Sequence, residues 1–122
     1  MSYARRLTVA VTTIADGSAM VYSDPIDYGL LSQIRYVKPG SGGFDDGSTI
    51  TITAEATGET LWAEAAVNAS TTRAPRAPLH STVGVALGAT LVDKIAIVND
   101  RIKIVIASGG NVKAASFIFV LG

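Results

Sequence analysis

Hydrophobic and polar residues alternate with a period of two over most of the chain. Leu7, Val9 and Val11 fall on one face and Thr8, Ala10 and Thr12 on the other, the pattern of a half-buried strand. Asp16-Gly17 carries a hairpin turn signal, so residues 19–23 are expected to return beside that strand. Asp24-Pro25 ends the return, because proline donates no hydrogen bond to a ladder. Residues 30–38 alternate again, with Leu30, Ile34 and Tyr36 against Gln33, Arg35 and Val37, until Pro39-Gly40-Ser41-Gly42-Gly43 imposes a loop. Residues 48–55 place Ile50, Ile52 and Ala54 on a buried face and Thr49, Thr51, Thr53 and Glu55 on a wet one. Thr57-Gly58 turns this strand into residues 59–67, predicting a β-hairpin.

The C-terminal part repeats the device. Ile102, Ile104 and Ile106 alternate with Arg101, Lys103 and Val105, Ser108-Gly109-Gly110-Asn111 turns the chain, and residues 112–121 return. Phe117 and Phe119 share one face of the returning strand and Ile118 and Val120 the other, which predicts a central strand, apolar on both sides. Residues 68–80 have no useful period, and Pro75 and Pro78 enforce extension there. Residues 81–90 are small and contain glycine, and residues 91–98 add one more candidate strand. No segment carries a helical stripe of useful length. The pattern predicts an all-β fold, an antiparallel β-sandwich or jelly-roll-like barrel of about seven to nine short strands.

Composition narrows the classes of function. A chain of 122 residues suits one domain over residues 1–122, here with a short N-terminal arm at 1–6 and the extended Pro/Arg segment at 68–80. Only 16% of residues are charged, below the ~25% of an ordinary soluble domain, so Thr, Ser, Ala and Gly must form much of the surface. Ten basic residues balance ten acidic ones, which argues against a nucleic-acid binder, since that needs surplus Lys and Arg. The absence of Cys excludes disulfides and thiolate chemistry. No stretch approaches the ~20 apolar residues of a membrane span. Arg5 and Arg6 precede a run that Thr8, Thr12 and Thr13 interrupt, so the start of the chain reads as a strand rather than a signal peptide, and the expected place of synthesis is the cytoplasm.

Chemistry finds little support. The one histidine, His80, stands beside prolines without a paired acid, and Glu55, Glu59 and Glu64 read as solvated hairpin charges rather than a carboxylate pair. Asp45-Asp46-Gly47 lacks the alternation of a calcium loop and is explained by turn chemistry, and Pro39–Gly43 lacks the Gly-Lys-Ser/Thr of a phosphate cradle. No catalytic residue, metal site, cofactor or small-molecule substrate is therefore expected. Features of association remain. Arg73-Ala74-Pro75-Arg76-Ala77-Pro78-Leu79-His80 is a stiff element that presents two guanidinium groups, although an ordinary crossover between sheets explains it equally well. Trp62 is either a core residue or, by alternation with Leu61, one facing away from the core.

Several stretches, Ile34-Arg35-Tyr36-Val37, Phe44-Asp45-Asp46-Gly47-Ser48-Thr49-Ile50-Thr51-Ile52-Thr53, Thr57-Gly58-Glu59-Thr60-Leu61, Ala74-Pro75-Arg76-Ala77-Pro78-Leu79-His80 and Asp100-Arg101-Ile102-Lys103-Ile104-Val105, resemble small tailed-bacteriophage virion proteins of the head region. These are similar to capsid decoration, or cement, proteins. The resemblance implies a virion protein, made in the host cytoplasm, that binds the major capsid protein on the outside of the head and stabilises the shell. It implies a homo-oligomer, a trimer ahead of a dimer, docking through Arg73, Pro75, Arg76, Pro78 and His80, with Arg5, Arg6 and Trp62 as further contacts. The alternatives are a head–tail connector, a minor tail protein, or a carbohydrate-binding adhesion module.

Overall fold

The computed structural model describes residues 4–122. Ten strands follow one another without a helix: β1 (Arg5–Thr12), β2 (Ala19–Tyr22), β3 (Ile26–Val37), β4 (Thr49–Ala54), β5 (Thr60–Glu64), β6 (Thr71–Arg73), β7 (Arg76–Pro78), β8 (Val92–Asp100), β9 (Ile102–Ala107) and β10 (Ala114–Leu121). They form two antiparallel sheets and no closed barrel. One sheet runs β1-β10-β3-β8-β7 with β6 also on β3, and the other runs β2-β9-β4-β5. The inward faces meet in one core, in which Leu31, Ile34, Tyr36, Phe117 and Phe119 of the first sheet face Ile50, Ile52, Ile102, Ile104 and Ile106 of the second. Stacking of Tyr36 on Phe117, with ring centroids 5.2 Å apart, anchors the middle of that layer.

The predicted strands form, and β10 is central, between β1 and β3. Two expected hairpins do not. The Asp16-Gly17 turn closes as expected, with Ile14 N–H bonded to the Ser18 carbonyl, but β2 then joins the opposite sheet on β9 rather than returning beside β1. Ser108–Asn111 likewise links β9 in one sheet to β10 in the other. Both are arches over the end of the sandwich, and they support each other: Gly109 N–H donates to the Gly17 carbonyl, and Thr13 Oγ1 donates to the Gly110 carbonyl at 2.7 Å. Gly17, at φ 85° and with a Cβ position 2.9 Å from the Gly110 nitrogen, admits no side chain there.

Two bulges shift the expected faces. The register of β10 on β3 slips where Val120 faces Gln33 and Leu121 faces Leu31, so Leu31, not Leu30, joins Ile34 and Tyr36 in the core. The slip between Ile52 and Thr53 lets β5 bury both Leu61 and Trp62, where strict alternation separates them. The N-terminal arm expected at 1–6 is corrected in its last residues. Arg5 and Arg6 open β1 and pair with Leu121 and Val120, because the Leu7-Val9-Val11 alternation extends the ladder back to them; residues 1–3 lie outside the described residues.

Candidate functional site

The Pro/Arg segment is stitched into the first sheet rather than standing free. The long β3 is covered by β8 along Ile26–Leu31, and β6 continues the sheet along Ile34–Tyr36, with Arg73 opposite Ile34. Pro75 sits in the short link between β6 and β7 and is half-buried. Then β7 pairs with the end of β8, Pro78 opposite Val92, at an edge where its missing N–H costs nothing.

Both arginines have internal partners. Arg73 Nε donates to Glu64 Oε1 at 2.9 Å and Nη2 to Oε2 at 3.0 Å, a bidentate clamp from the first sheet to β5 of the second. Trp62 Nε1 donates to the same Glu64 oxygen at 3.1 Å, which gives the buried indole its polar partner. The Arg73 bonds, and secondarily that of Trp62, hold the Glu64 carboxyl below its ordinary range. Arg76 Nη1 donates to the Ser32 and Pro75 carbonyls. Glu55 is engaged by Arg101, so the three glutamates of the β4–β5 region form no shared carboxylate site. Asp46 bonds Lys38 Nζ at 3.1 Å.

Beyond Pro78 the chain leaves the sandwich. Residues 79–92 fold back on themselves as a flap, tied by Leu79 N–H to the Leu91 carbonyl, Leu87 N–H to the Leu79 carbonyl, Ser81 N–H to the Val85 carbonyl, and a bridge between His80 and Ala86. Gly84 and Gly88 take positive φ at its two bends, and a Cβ at either meets nothing within 4 Å. The flap contains no Asp, Glu, Lys or Arg. Its aliphatic side chains face outward: Val83 is 83% exposed, Val85 59%, Leu91 48%, and Leu79, Leu87 and Val92 are each at least 40% exposed. His80 stands exposed at the base. Sequence reading passed this stretch as small and glycine-containing. The available signal was the coincidence of six large aliphatic residues with a complete lack of charge.

No family model matches the chain, and no curated protein matches it. A solved structure of FlhE matches over 98% of each chain with a TM-score of 0.50 and 9% sequence identity. The likeness is one of fold alone. The reading as a phage capsid decoration protein, with its connector and tail alternatives, is corrected: the solved neighbour is FlhE, and nothing in the comparisons supports a phage protein. The physical reason for the false resemblance is visible in the sheets. Ile34–Val37 lies in β3, Thr49–Thr53 in β4, Thr57-Gly58 in a hairpin turn and Ile102–Val105 in β9. Alternating strands and glycine turns are what any sandwich of this kind requires.

Proposed function

We propose that the protein is a non-enzymatic binding module that holds an apolar surface of a partner protein with the flap of residues 79–92. The observation that carries this reading is a charge-free element whose aliphatic side chains all face away from the chain's own core. Exposed apolar patches of this kind mark interaction surfaces, and depletion of charge at the centre is the compositional mark of a protein interface. A lipid surface fits less well, because the flap has no Trp, Tyr or Phe and no flanking basic cluster, with Asp93 next in the chain.

The test is isolation from native cells of complexes carrying either the wild-type chain or the Val83→Glu, Val85→Glu double variant. The expected result is a complex of defined stoichiometry with the wild type and free chain with the variant, whose thermal midpoint is unchanged. Retention of the variant in the complex overturns the assignment of the flap. Binding of the wild type, but not the variant, to phosphatidylcholine–phosphatidylglycerol vesicles replaces the protein partner with a membrane.

A further inference from the structure

A different surface, independent of the flap, carries a second conclusion. The four path-end strands are β1 and β7 in the first sheet and β2 and β5 in the second. Exposed edges invite pairing with another chain unless they are short, bulged, proline-bearing or charged. Strand β7 spans three residues and contains Pro78, β2 spans four, and β5 is itself bulged at Leu61 and ends at the Glu64–Arg73 clamp. Strand β1 spans eight residues and has none of these defences from Leu7 to Thr12.

Its free hydrogen-bonding groups can be assigned by parity. Thr13 N–H donates to the Lys113 carbonyl of the chain leading into β10, so Val11, Val9, Leu7 and Arg5 also direct their N–H and C=O toward β10. The intervening Arg6, Thr8, Ala10 and Thr12 direct theirs outward, where β1 has no neighbouring strand among the described residues. The side chains of these four are exposed, and beside Ala10 and Thr12 a shallow groove is lined by Val37, Pro39, Ala114 and Ser116.

We infer that β1 is a self-pairing edge: two copies of the chain join β1 to β1, antiparallel, about a two-fold axis through Val9. Charge and register select this occupant. The two-fold arrangement puts Arg6 opposite Thr12 of the second copy and Thr8 opposite Ala10, so every outward group on both strands finds a partner. Shifting the register leaves some of those groups bare. Antiparallel pairing sends the two Arg5-Arg6 pairs to opposite ends of the interface, whereas a parallel strand would stack them. The zero net charge of the chain opposes no approach of like chains. The small Thr8, Ala10 and Thr12 side chains let the joined sheets continue without collision. Strand β2, which follows β1 over the arch, lies at the end of the other sheet and brings the exposed Met20.

The experiment is sedimentation equilibrium of the full chain, paired with amide hydrogen exchange. Wild type is expected to be a dimer in which Thr8, Ala10 and Thr12 amides gain protection with rising concentration, while Leu7, Val9 and Val11 stay protected throughout. Ala10→Pro removes an outward N–H and no ladder bond, so it is expected to weaken association by at least about tenfold with an unchanged thermal midpoint. Should that variant fold poorly, the Thr8→Lys, Ala10→Lys double variant sets lysine directly against lysine across the axis and is expected to give monomers. A wild-type monomer at about 1 mM overturns the inference, as does a trimer, or a dimer that both variants leave intact. None of these outcomes depends on whether the flap binds its partner.

Discussion

The β4–β5 hairpin and the flap that follows β7 are antiparallel excursions of similar length, yet they meet opposite fates. The first lies against β9 and buries Ile50, Ile52, Leu61 and Trp62, while its solvent side and turn carry Glu55, Glu59 and Glu64. The second reaches past the sheet, buries none of its large aliphatic residues and carries no charge at all. An apolar residue in a β pattern therefore does not announce what covers it. What separates the two is charge: the wet side and turn of the hairpin carry three glutamates, whereas the polar residues of the flap are His80, Ser81, Thr82 and Thr90, with no Asp, Glu, Lys or Arg. A surface of that composition suits contact with something other than water.

The contrast can be broken most sharply in the cores. Ile52→Ala is expected to cost about 2–5 kcal/mol in denaturant unfolding, because Ile52 is fully enclosed between the sheets. Val83→Ala is expected to stay within about 0.5 kcal/mol of wild type in the same measurement. A loss comparable to that of Ile52→Ala would show that the flap contributes to the core after all.

The turns permit a finer comparison. Gly58 and Gly84 both have positive φ, 74° and 83°, and both have open space at the Cβ position. Alanine therefore imposes similar local strain at each, roughly 1–2 kcal/mol. At Gly58 the loss is expected in global unfolding, since the hairpin is part of the cooperative sandwich. At Gly84 it is expected only as faster exchange of flap amides such as Leu87, with the global transition unmoved.

The sandwich has a flaw of its own that sharpens the contrast further. Among the described residues the buried Tyr36 hydroxyl finds no hydrogen-bond partner, and burial pushes its pKa up to about 12. Tyr36→Phe is expected to raise stability by about 1 kcal/mol. Because the folded pKa lies above the ordinary value of 10.0, the wild type is expected to lose stability as pH rises from 10 toward 12, and the Phe variant to lose less. The smallest effect belongs to Glu64. Its pKa is lowered by Arg73, so its contribution is present above the ordinary 4.5 and lost as pH falls below it. Glu64→Gln is expected to cost under about 1 kcal/mol at neutral pH and to flatten the acid limb of the stability profile.

Alternation made most of the strands legible, because one side of each must be dry. It could not tell a hairpin from an arch. Asp16-Gly17 and Ser108–Asn111 have the same turn chemistry whichever sheet receives the chain, and that choice is made by strands far away in sequence. Nor could it foresee the slips at Gln33 and Thr53, which exchange Leu30 for Leu31 and bring Trp62 inside. Such slips depend on how the partner strand fits. Arg73 was visible as a guanidinium on a stiff segment, but its partner Glu64 was not, because β5 and β6 belong to different sheets. The flap was written plainly in the composition of residues 79–92; strand periodicity was the wrong instrument for it. The edge of β1 needed the sheet order, which no local pattern contains.

The position of β10 has a consequence for how the molecule comes into being. This strand, the tenth in chain order, lies between β1 and β3 and supplies Phe117 and Phe119 to the core. A growing chain that stops short of Ala114 holds β1 and β3 without the strand that joins them, and one wall of the sandwich has no floor. Assembly on the ribosome therefore has to wait until β10 has cleared the exit tunnel. The same antiparallel neighbours bring Arg5 opposite Leu121. A short linker across that gap would let the chain be opened elsewhere, and a permutant that emits β10 early is expected to fold at a shorter nascent length.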